Sequence, residues 1–195
     1  VANPLLLNPL SYPHADRVAT LFQVPSDEGH KAPSGQLVMV TPDAALLDEW
    51  RENARSLEAI EPYLTTDVML ERGAGTPAVA AMAKIRPGFA AFAGSGPVAG
   101  RLFTDEEAKT GVPVGLLAEP AWRARFGADP EIVGGTVRVN GKPVTIIGIM
   151  SSSLKLPRAN SQPVDLWMPI DLARDLLGFH AVARLAPGVT QQAAE

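Results

Sequence analysis

Thr136-Val-Arg-Val-Asn-Gly-Lys-Pro-Val-Thr-Ile-Ile-Gly-Ile149 carries the strongest local structural signal in the chain. Two runs rich in β-branched residues flank Asn140-Gly141. Asn-Gly is the preferred dipeptide of a type I′ turn because both positions take positive φ. The sequence therefore predicts a β-hairpin with strands at Thr136–Val139 and Pro143–Ile149.

Short strands and short helices alternate on both sides of this hairpin, which predicts an α+β sandwich. Just before it, Val112–Ala118 has the composition of a buried strand, and Glu119–Phe126 that of a helix ending at Gly127, a common helix C-terminal residue. Further strands are predicted at Arg17–Val24, Thr65–Glu71, Pro77–Ile85, Asp165–Ile170 and Phe179–Leu185. Short helices are predicted at Pro87–Ala93, at Asp171–Leu177 and from Pro187 onward, and Ser26–Gly35 is predicted to be a loop.

A longer helix is predicted to begin after Thr41, which is a suitable N-cap with Pro42 at the first helical position. Asp43 then lies beside the positive end of the helix dipole. Apolar residues recur at intervals of three or four, as on one helix face, at Leu46, Trp50, Ala54, Leu57 and Ile60. The spacing predicts a helix that continues to about Glu61 and stops before Pro62.

The composition fits a globular domain and excludes several functional classes. The chain has 195 residues, is 46% hydrophobic, and carries a net charge of −4 from 17 basic and 21 acidic side chains. This balance lacks the basic face of a nucleic-acid-binding protein. Cysteine is absent, which excludes disulfides, thiol nucleophiles and thiolate metal sites.

The first residues have an unusual composition. Leu5, Leu6 and Leu7 lie between Pro4 and Pro9, and the first acidic residue is Asp16. This pattern is typical of a stem that leaves a membrane, or of an apolar terminal arm packed on its own domain. No stretch reaches the roughly 18 to 20 apolar residues of a membrane helix. Because the chain begins with Val1, we expect it to be a piece of a longer protein.

Two glycine motifs resemble nucleotide-binding sequences but lack the required context. Gly94-Ser-Gly-Pro-Val-Ala99 matches a dinucleotide-binding pattern, yet a helix is predicted before it, where that pattern needs a strand. Gly141-Lys142 resembles the end of a phosphate-binding loop, but Pro143 stands where Ser or Thr would bind magnesium. We therefore predict no cofactor-binding residue.

Residues with catalytic or metal-binding chemistry are scattered. The histidines His14, His30 and His180 lack any two-ligand spacing, so no metal site is predicted. Ser95 is not in a nucleophile elbow. Asp105-Glu-Glu107 follows Thr104 and is typical of a capped first helical turn. The tryptophans are expected to have packing roles, and they are Trp50, Trp122 and Trp167. No catalytic residue is predicted.

Six short segments, in order, resemble the periplasmic core domain of MacB-like ABC transporter permeases, an FtsX-like family, and especially its branch without a fused ATPase. They are Asn8–Pro13, Gly100–Thr104, Phe126–Gly134, Val139–Met150, Asp165–Ile170 and Ala183–Thr190. The resemblance implies a non-enzymatic extracytoplasmic domain of an inner-membrane protein, placed between the first and second membrane helices. It would transmit ATP-driven motion of those helices to export of peptides, lipids, lipoproteins or drugs, or to a periplasmic partner.

The resemblance also implies a two-lobed domain and a set of partners. The expected division is a stem at residues 1–15, a porter-like α+β lobe at residues 16–111 and 178–195, and an inserted β-rich lobe at residues 112–177. The implied partners are the membrane helices of the parent chain, a second permease copy, a separate cytoplasmic ATPase, and a periplasmic adaptor or lipoprotein. The isolated domain is expected to be a monomer.

A different class of function stays open from the residues alone. The chain could be a secreted ligand-binding module or hydrolase that uses a cleft between two lobes. Such a site would need convergent polar groups and acids with perturbed pKa values. The candidate acids are Asp105, Glu106 and Asp165.

Overall fold

A computed structural model gives the structure of the chain and describes residues 12–21, 42–73, 75–157, 163–172, 174–175 and 179–190. The predicted loop at Ser26–Gly35, most of the stem at residues 1–15 and the continuation of the predicted last helix after Thr190 lie outside the described residues. Pro187 and Gly188, where that helix was predicted to begin, form a turn. Of the predicted helix at Asp171–Leu177, the described part is a turn in which the N–H groups of Arg174 and Asp175 donate to the Asp171 carbonyl.

The described residues form a mixed α+β fold, as predicted, and its strands belong to one large sheet with few helices. The strands are β1 Val18–Leu21, β2 Leu57–Glu71, β3 Ala78–Ile85, β4 Pro97–Gly100, β5 Val114–Ala118, β6 Thr136–Val139, β7 Lys142–Met150, β8 Leu166–Pro169 and β9 His180–Leu185. The helices are α1 Ala44–Asn53, α2 Phe89–Phe92, α3 Asp105–Thr110 and α4 Glu119–Phe126. Single 3-10 turns occur at Ala15–Arg17 and Pro130–Ile132.

Three predictions that depended on local residues are confirmed. In the β6–β7 hairpin, Asn140 and Gly141 have φ values of 50° and 78°, as a type I′ turn requires. Helix α4 ends at Gly127, whose φ is 62°. Helix α3 begins at Thr104, which accepts from the Glu107 N–H while the Glu107 side chain accepts from the Thr104 N–H.

The prediction for the first long helix is wrong at both ends. Asp43, not Thr41, is the N-cap, and its side chain accepts from the Leu46 N–H. The helix stops at Asn53, and the chain continues as strand β2 from Leu57. The apolar residues Leu57 and Ile60 are three positions apart, a spacing that also occurs in an irregular strand. Here the segment is a strand because it pairs with β9, and a bulge between Leu57 and Ala59 accounts for the spacing.

Six strands close into a ring. The order is β2, β3, β8, β5, β7, β6 and back to β2, where Leu70 pairs with Val139. Its parallel pairs are β3–β8 and β5–β7. Strand β4 adds to β7 outside the ring, and β9 followed by β1 adds to β2.

Strand β2 joins the ring to the β9–β1 part of the sheet. Its 15 residues correspond to roughly 50 Å at about 3.3 Å per residue. Its first half pairs with β9 and its second half with β3, and Tyr63 is the residue of β2 that pairs with both, opposite His180 and Ile85. Tyr63 is fully buried and stacks on His180 with ring centroids 5.3 Å apart.

Three apolar clusters hold these parts together. One fills the ring and includes Val68, Val137 and Ile146. A second lies between α1 and the β9 part of the sheet, around Leu47 and Phe179. The third extends along the opposite face and includes Tyr12, Tyr63, Phe89, Leu116, Trp167 and Val182. Because this third cluster contains residues of β9, β2, β5 and β8, it packs the β9 part directly against the ring.

Candidate functional site

The pairing of β1 with β9 brings the beginning and the end of the described chain to one end of the sheet. Val18 lies opposite Arg184, and Leu21 lies opposite Ala181. Because the two strands are antiparallel, the residues that lead into Val18 and those that follow Arg184 leave the sheet on the same side. The separation along the sequence is 166 residues, taken as 184 − 18 from this register.

Arg184 contacts residues from three separate segments. Its Nη2 donates to the Phe92 carbonyl over 2.6 Å and to the Pro13 carbonyl over 3.3 Å. Its guanidinium carbon lies 4.5 Å from the centroid of the Phe92 ring, within the range of a cation–π interaction. Its Nη1 is 3.9 Å from Glu58 Oε1, and 12% of its side chain is exposed. A charge this well covered is stabilised by such specific contacts.

Arg17 ties the same segments together from the other strand. Its Nη1 donates to Glu58 Oε2 over 2.8 Å and to the Leu185 carbonyl over 2.9 Å. Glu58, at the start of β2, thus lies between Arg17 and Arg184. The Ala186 N–H also donates to the Ser56 carbonyl over 2.9 Å, which fixes the chain after β9 beside the start of β2.

Tyr12 anchors the chain before β1. Its ring meets Phe92 edge to face with centroids 5.9 Å apart, and its hydroxyl donates to the Lys155 carbonyl. Tyr12 is buried, and this burial raises the pKa of its hydroxyl. We call Tyr12, Pro13, Arg17, Glu58, Phe92 and Arg184 together the terminal junction.

Glu61 is a half-buried carboxylate a few residues along β2 from the terminal junction. Its Oε2 is fully covered and accepts no hydrogen bond. Its Oε1 would lie 2.8 Å from a Cβ built on Gly88, so the carboxylate occupies the space of a side chain there. Burial raises the pKa of Glu61, while the nearby charges of Arg86 and Arg51 act in the opposite direction. The ionised form is therefore less favoured here than in an exposed glutamate.

The two glycine motifs have structural roles. Gly94 follows helix α2 and precedes strand β4, the reverse of the strand-to-helix order that a dinucleotide-binding loop needs. Gly94 has a φ of 64°, and a Cβ there would meet Pro13 Cγ at 2.6 Å. Gly141 forms the hairpin turn.

The other candidate residues also have identifiable structural surroundings. His14 is exposed with a φ of 54°, His180 stacks on Tyr63, and His30 lies outside the described residues. In the part of the chain that the structure describes, no three His, Asp or Glu side chains are grouped as metal ligands would be. The tryptophans pack against core clusters, as expected, and they are Trp50, Trp122 and Trp167.

The acids considered for a cleft belong to a helix end and an ion pair. Asp105 and Glu106 lie exposed in the first turn of α3. Asp165 Oδ2 accepts from the Ala81 N–H over 3.1 Å and from Arg125 Nη2 over 3.0 Å. These contacts fix Asp165 as a bridge between β3, β8 and α4.

Comparison with known proteins agrees with this architecture. The model of the MacB-like periplasmic core domain matches residues 7–195. The chain belongs to this family. MacB-like core domains are the periplasmic domains of ABC transporter permeases, so a membrane-embedded parent chain and an ATPase partner accompany them in general. No curated protein sequence gives a significant match.

Solved structures of permease and transporter domains share the fold at low sequence identity. The periplasmic region of MacB from Actinobacillus actinomycetemcomitans is 18% identical with a TM-score of 0.69, over 98% of this chain and 84% of that one. A domain of a putative permease protein from Porphyromonas gingivalis is 18% identical with a TM-score of 0.65, over 93% and 78%. The extracellular domain of the noncanonic ABC-type transporter YknZ from Gram-positive bacteria is 15% identical with a TM-score of 0.67, over 91% and 88%.

Sequence reasoning identified the MacB-like family but missed the terminal junction. Arg17, Glu58 and Arg184 have ordinary local contexts, and their proximity depends on pairing between strands far apart in the chain. Among the described helices, none has both the length and the apolar composition needed to cross a membrane.

Proposed function

We propose that this chain is a non-catalytic lever of a MacB-like ABC transporter permease. It carries ATP-driven movement of the membrane helices outside the membrane, to export of a substrate or to a periplasmic partner. The observation that supports the proposal is the position of the terminal junction at one end of β2, with ring closure at the other end.

In this proposal the terminal junction faces the membrane. Two membrane helices can move a domain together only if both connections lie on the same side of it, and the β1–β9 register provides that arrangement. The stem at residues 1–15 would connect to the first membrane helix, and the chain after Thr190 would lead toward the second.

Strand β2 and the packing around it support transmission over a distance. The strand is paired along its length, with β9, β3 and finally β6. The apolar cluster that includes Tyr12, Tyr63 and Trp167 crosses the position where β2 changes partners. Close-packed protein interiors deform little, so displacement at the terminal junction would reach the ring through this cluster.

The two-lobed division at residues 16–111 with 178–195 and residues 112–177 remains part of the proposal. So do its expected partners: a second permease copy, a separate ATPase, and a periplasmic adaptor or lipoprotein. In this arrangement the cytoplasmic ATPase supplies the energy, and the ring is the part of the domain that moves furthest.

The test uses the parent permease with its ATPase in a lipid nanodisc. A spin label on Thr76→Cys, in the exposed turn between β2 and β3, reports the distance between two permease copies. The domain contains no other cysteine to compete for the label. The distance distribution is measured without nucleotide and in an ATP-trapped state.

If the domain acts as a lever, the distance between the Thr76→Cys labels of the two permease copies changes with nucleotide. It should change more than the distance between labels on Arg55→Cys, which lies beside the terminal junction. Identical distributions in both states, with ATP hydrolysis intact, would remove the proposed function. An equal shift at both sites would show translation of the domain instead of leverage.

A further inference from the structure

We propose that Arg184 is the positioning residue that couples the two membrane-connected segments, so that they move the domain as one unit. This inference rests on the lever function and names the contact through which it acts.

Arg184 has contacts that reach both connections at once. It belongs to β9, which leads to the chain after Leu185, and it donates to the carbonyl of Pro13 in the segment before β1. A force on either segment therefore acts directly on the same guanidinium group. The remaining contacts attach that group to Phe92 of α2 and to Glu58 of β2.

The chemistry of the contacts requires arginine in particular. One planar group donates to two carbonyls, lies over the Phe92 ring and faces the Glu58 carboxylate. A lysine ammonium keeps the charge but lacks the planar fork and the stacking surface. Arg17 makes a second link between the same segments, because it precedes β1 and donates to the Leu185 carbonyl at the end of β9. Its hydrogen bonds go to Glu58 and Leu185, whereas those of Arg184 also attach helix α2 through Phe92.

Neighbouring contacts make the site stiff enough to transmit a displacement. Tyr12 packs edge to face on the same Phe92 ring that lies under the guanidinium. Gly94 packs directly against Pro13, with room for no Cβ between them. Tyr12 and Pro13, in the segment before β1, therefore pack against Phe92 and Gly94 at the end of α2. Both contacts lie next to the hydrogen bonds that Arg184 donates to Pro13 and Phe92.

The experiment compares two arginine variants with the Thr76 distance measurement in the parent permease. Arg184→Met keeps the aliphatic stem and removes the guanidinium. The matched control is Arg125→Met, because Arg125 also donates to a main-chain carbonyl, that of Val79, and pairs with a carboxylate, that of Asp165. Arg125 contacts the ring and neither chain end, so it reports the effect of a similar loss of stability alone.

We expect Arg184→Met to lose the nucleotide-dependent distance change while ATP hydrolysis continues, and Arg125→Met to retain it. Arg184→Lys serves as a second variant that preserves the charge if the methionine variant does not fold, and it should reduce the change by at least half. A wild-type response in the folded Arg184 variants would overturn the inference and leave the lever function standing. Absence of the change in the wild-type permease would instead remove both.

Discussion

Asn140 and Met69 exchange two hydrogen bonds of 2.8 Å each, in which the Asn140 N–H donates to the Met69 carbonyl and the Met69 N–H donates to Asn140 Oδ1. The contact ties the β6–β7 turn to the far part of β2. It lies next to the Leu70–Val139 pairing that closes the ring. One residue therefore combines the positive φ of the turn with a long-range contact.

Replacing Asn140 should separate these two roles. Asn140→Gly keeps the backbone freedom at a φ of 50° but removes Oδ1, so we expect a loss of about 1 kcal/mol for one hydrogen bond. Asn140→Asp keeps an acceptor at the same place and should lose less. Urea denaturation of the 195-residue chain measures both, and equal losses in the two variants would show that the Oδ1 contact contributes nothing.

Gly100 should be intolerant of any side chain. Its φ is 71°, and a Cβ there would lie 2.3 Å from the Ile147 carbonyl oxygen, where β4 meets β7. We expect Gly100→Ala to cost more than about 2 kcal/mol, because left-handed backbone alone costs 1 to 2 kcal/mol for alanine. Gly96→Ala is the matched control, since nothing lies within 4 Å of its Cβ position. Similar melting temperatures for the two variants would contradict this reading.

Glu107 should contribute stability that depends on pH. The Arg101 guanidinium and the Thr104 N–H lower the pKa of Glu107 to about 2. A depressed pKa in the folded state adds stability above the unfolded value of 4.5, and this stability is lost as the pH falls toward 2. Glu107→Gln should therefore be less stable than the wild type at pH 7 and approach it near pH 2. Glu106→Gln removes a charge from the same turn without touching these contacts, and its difference from the wild type should be smaller.

Glu61 should show the opposite dependence. Burial raises the pKa of Glu61, so the folded state binds a proton more tightly than the unfolded chain. Stability should then increase as the pH falls through the raised pKa toward 4.5, and the ionised carboxylate should cost stability at neutral pH. Glu61→Gln is expected to be more stable than the wild type at pH 7 and to lose this part of the pH dependence. A destabilised glutamine variant at pH 7 would show that attraction to Arg86 and Arg51 outweighs burial.

Local chemistry was sufficient to predict several elements from the sequence. Asn140-Gly141 determined a hairpin turn through its positive φ values, Thr104 and Glu107 determined a helix start through their reciprocal hydrogen bonds, and Gly127 determined a helix end. Each of these signals involves residues within a few positions of each other. The family resemblance came from short segments of this kind in the right order.

Tertiary structure decided the elements whose partners are distant in the chain. Leu57–Glu61 became strand because β9 pairs with it, although its spacing also fits a helix. Ring closure through Leu70 and Val139 and the terminal junction of Arg17, Glu58 and Arg184 likewise join segments that the sequence separates widely. The residues in such contacts have no distinctive local sequence pattern. The interactions that select their conformation come from partners that are distant in the sequence and become close only when the chain folds.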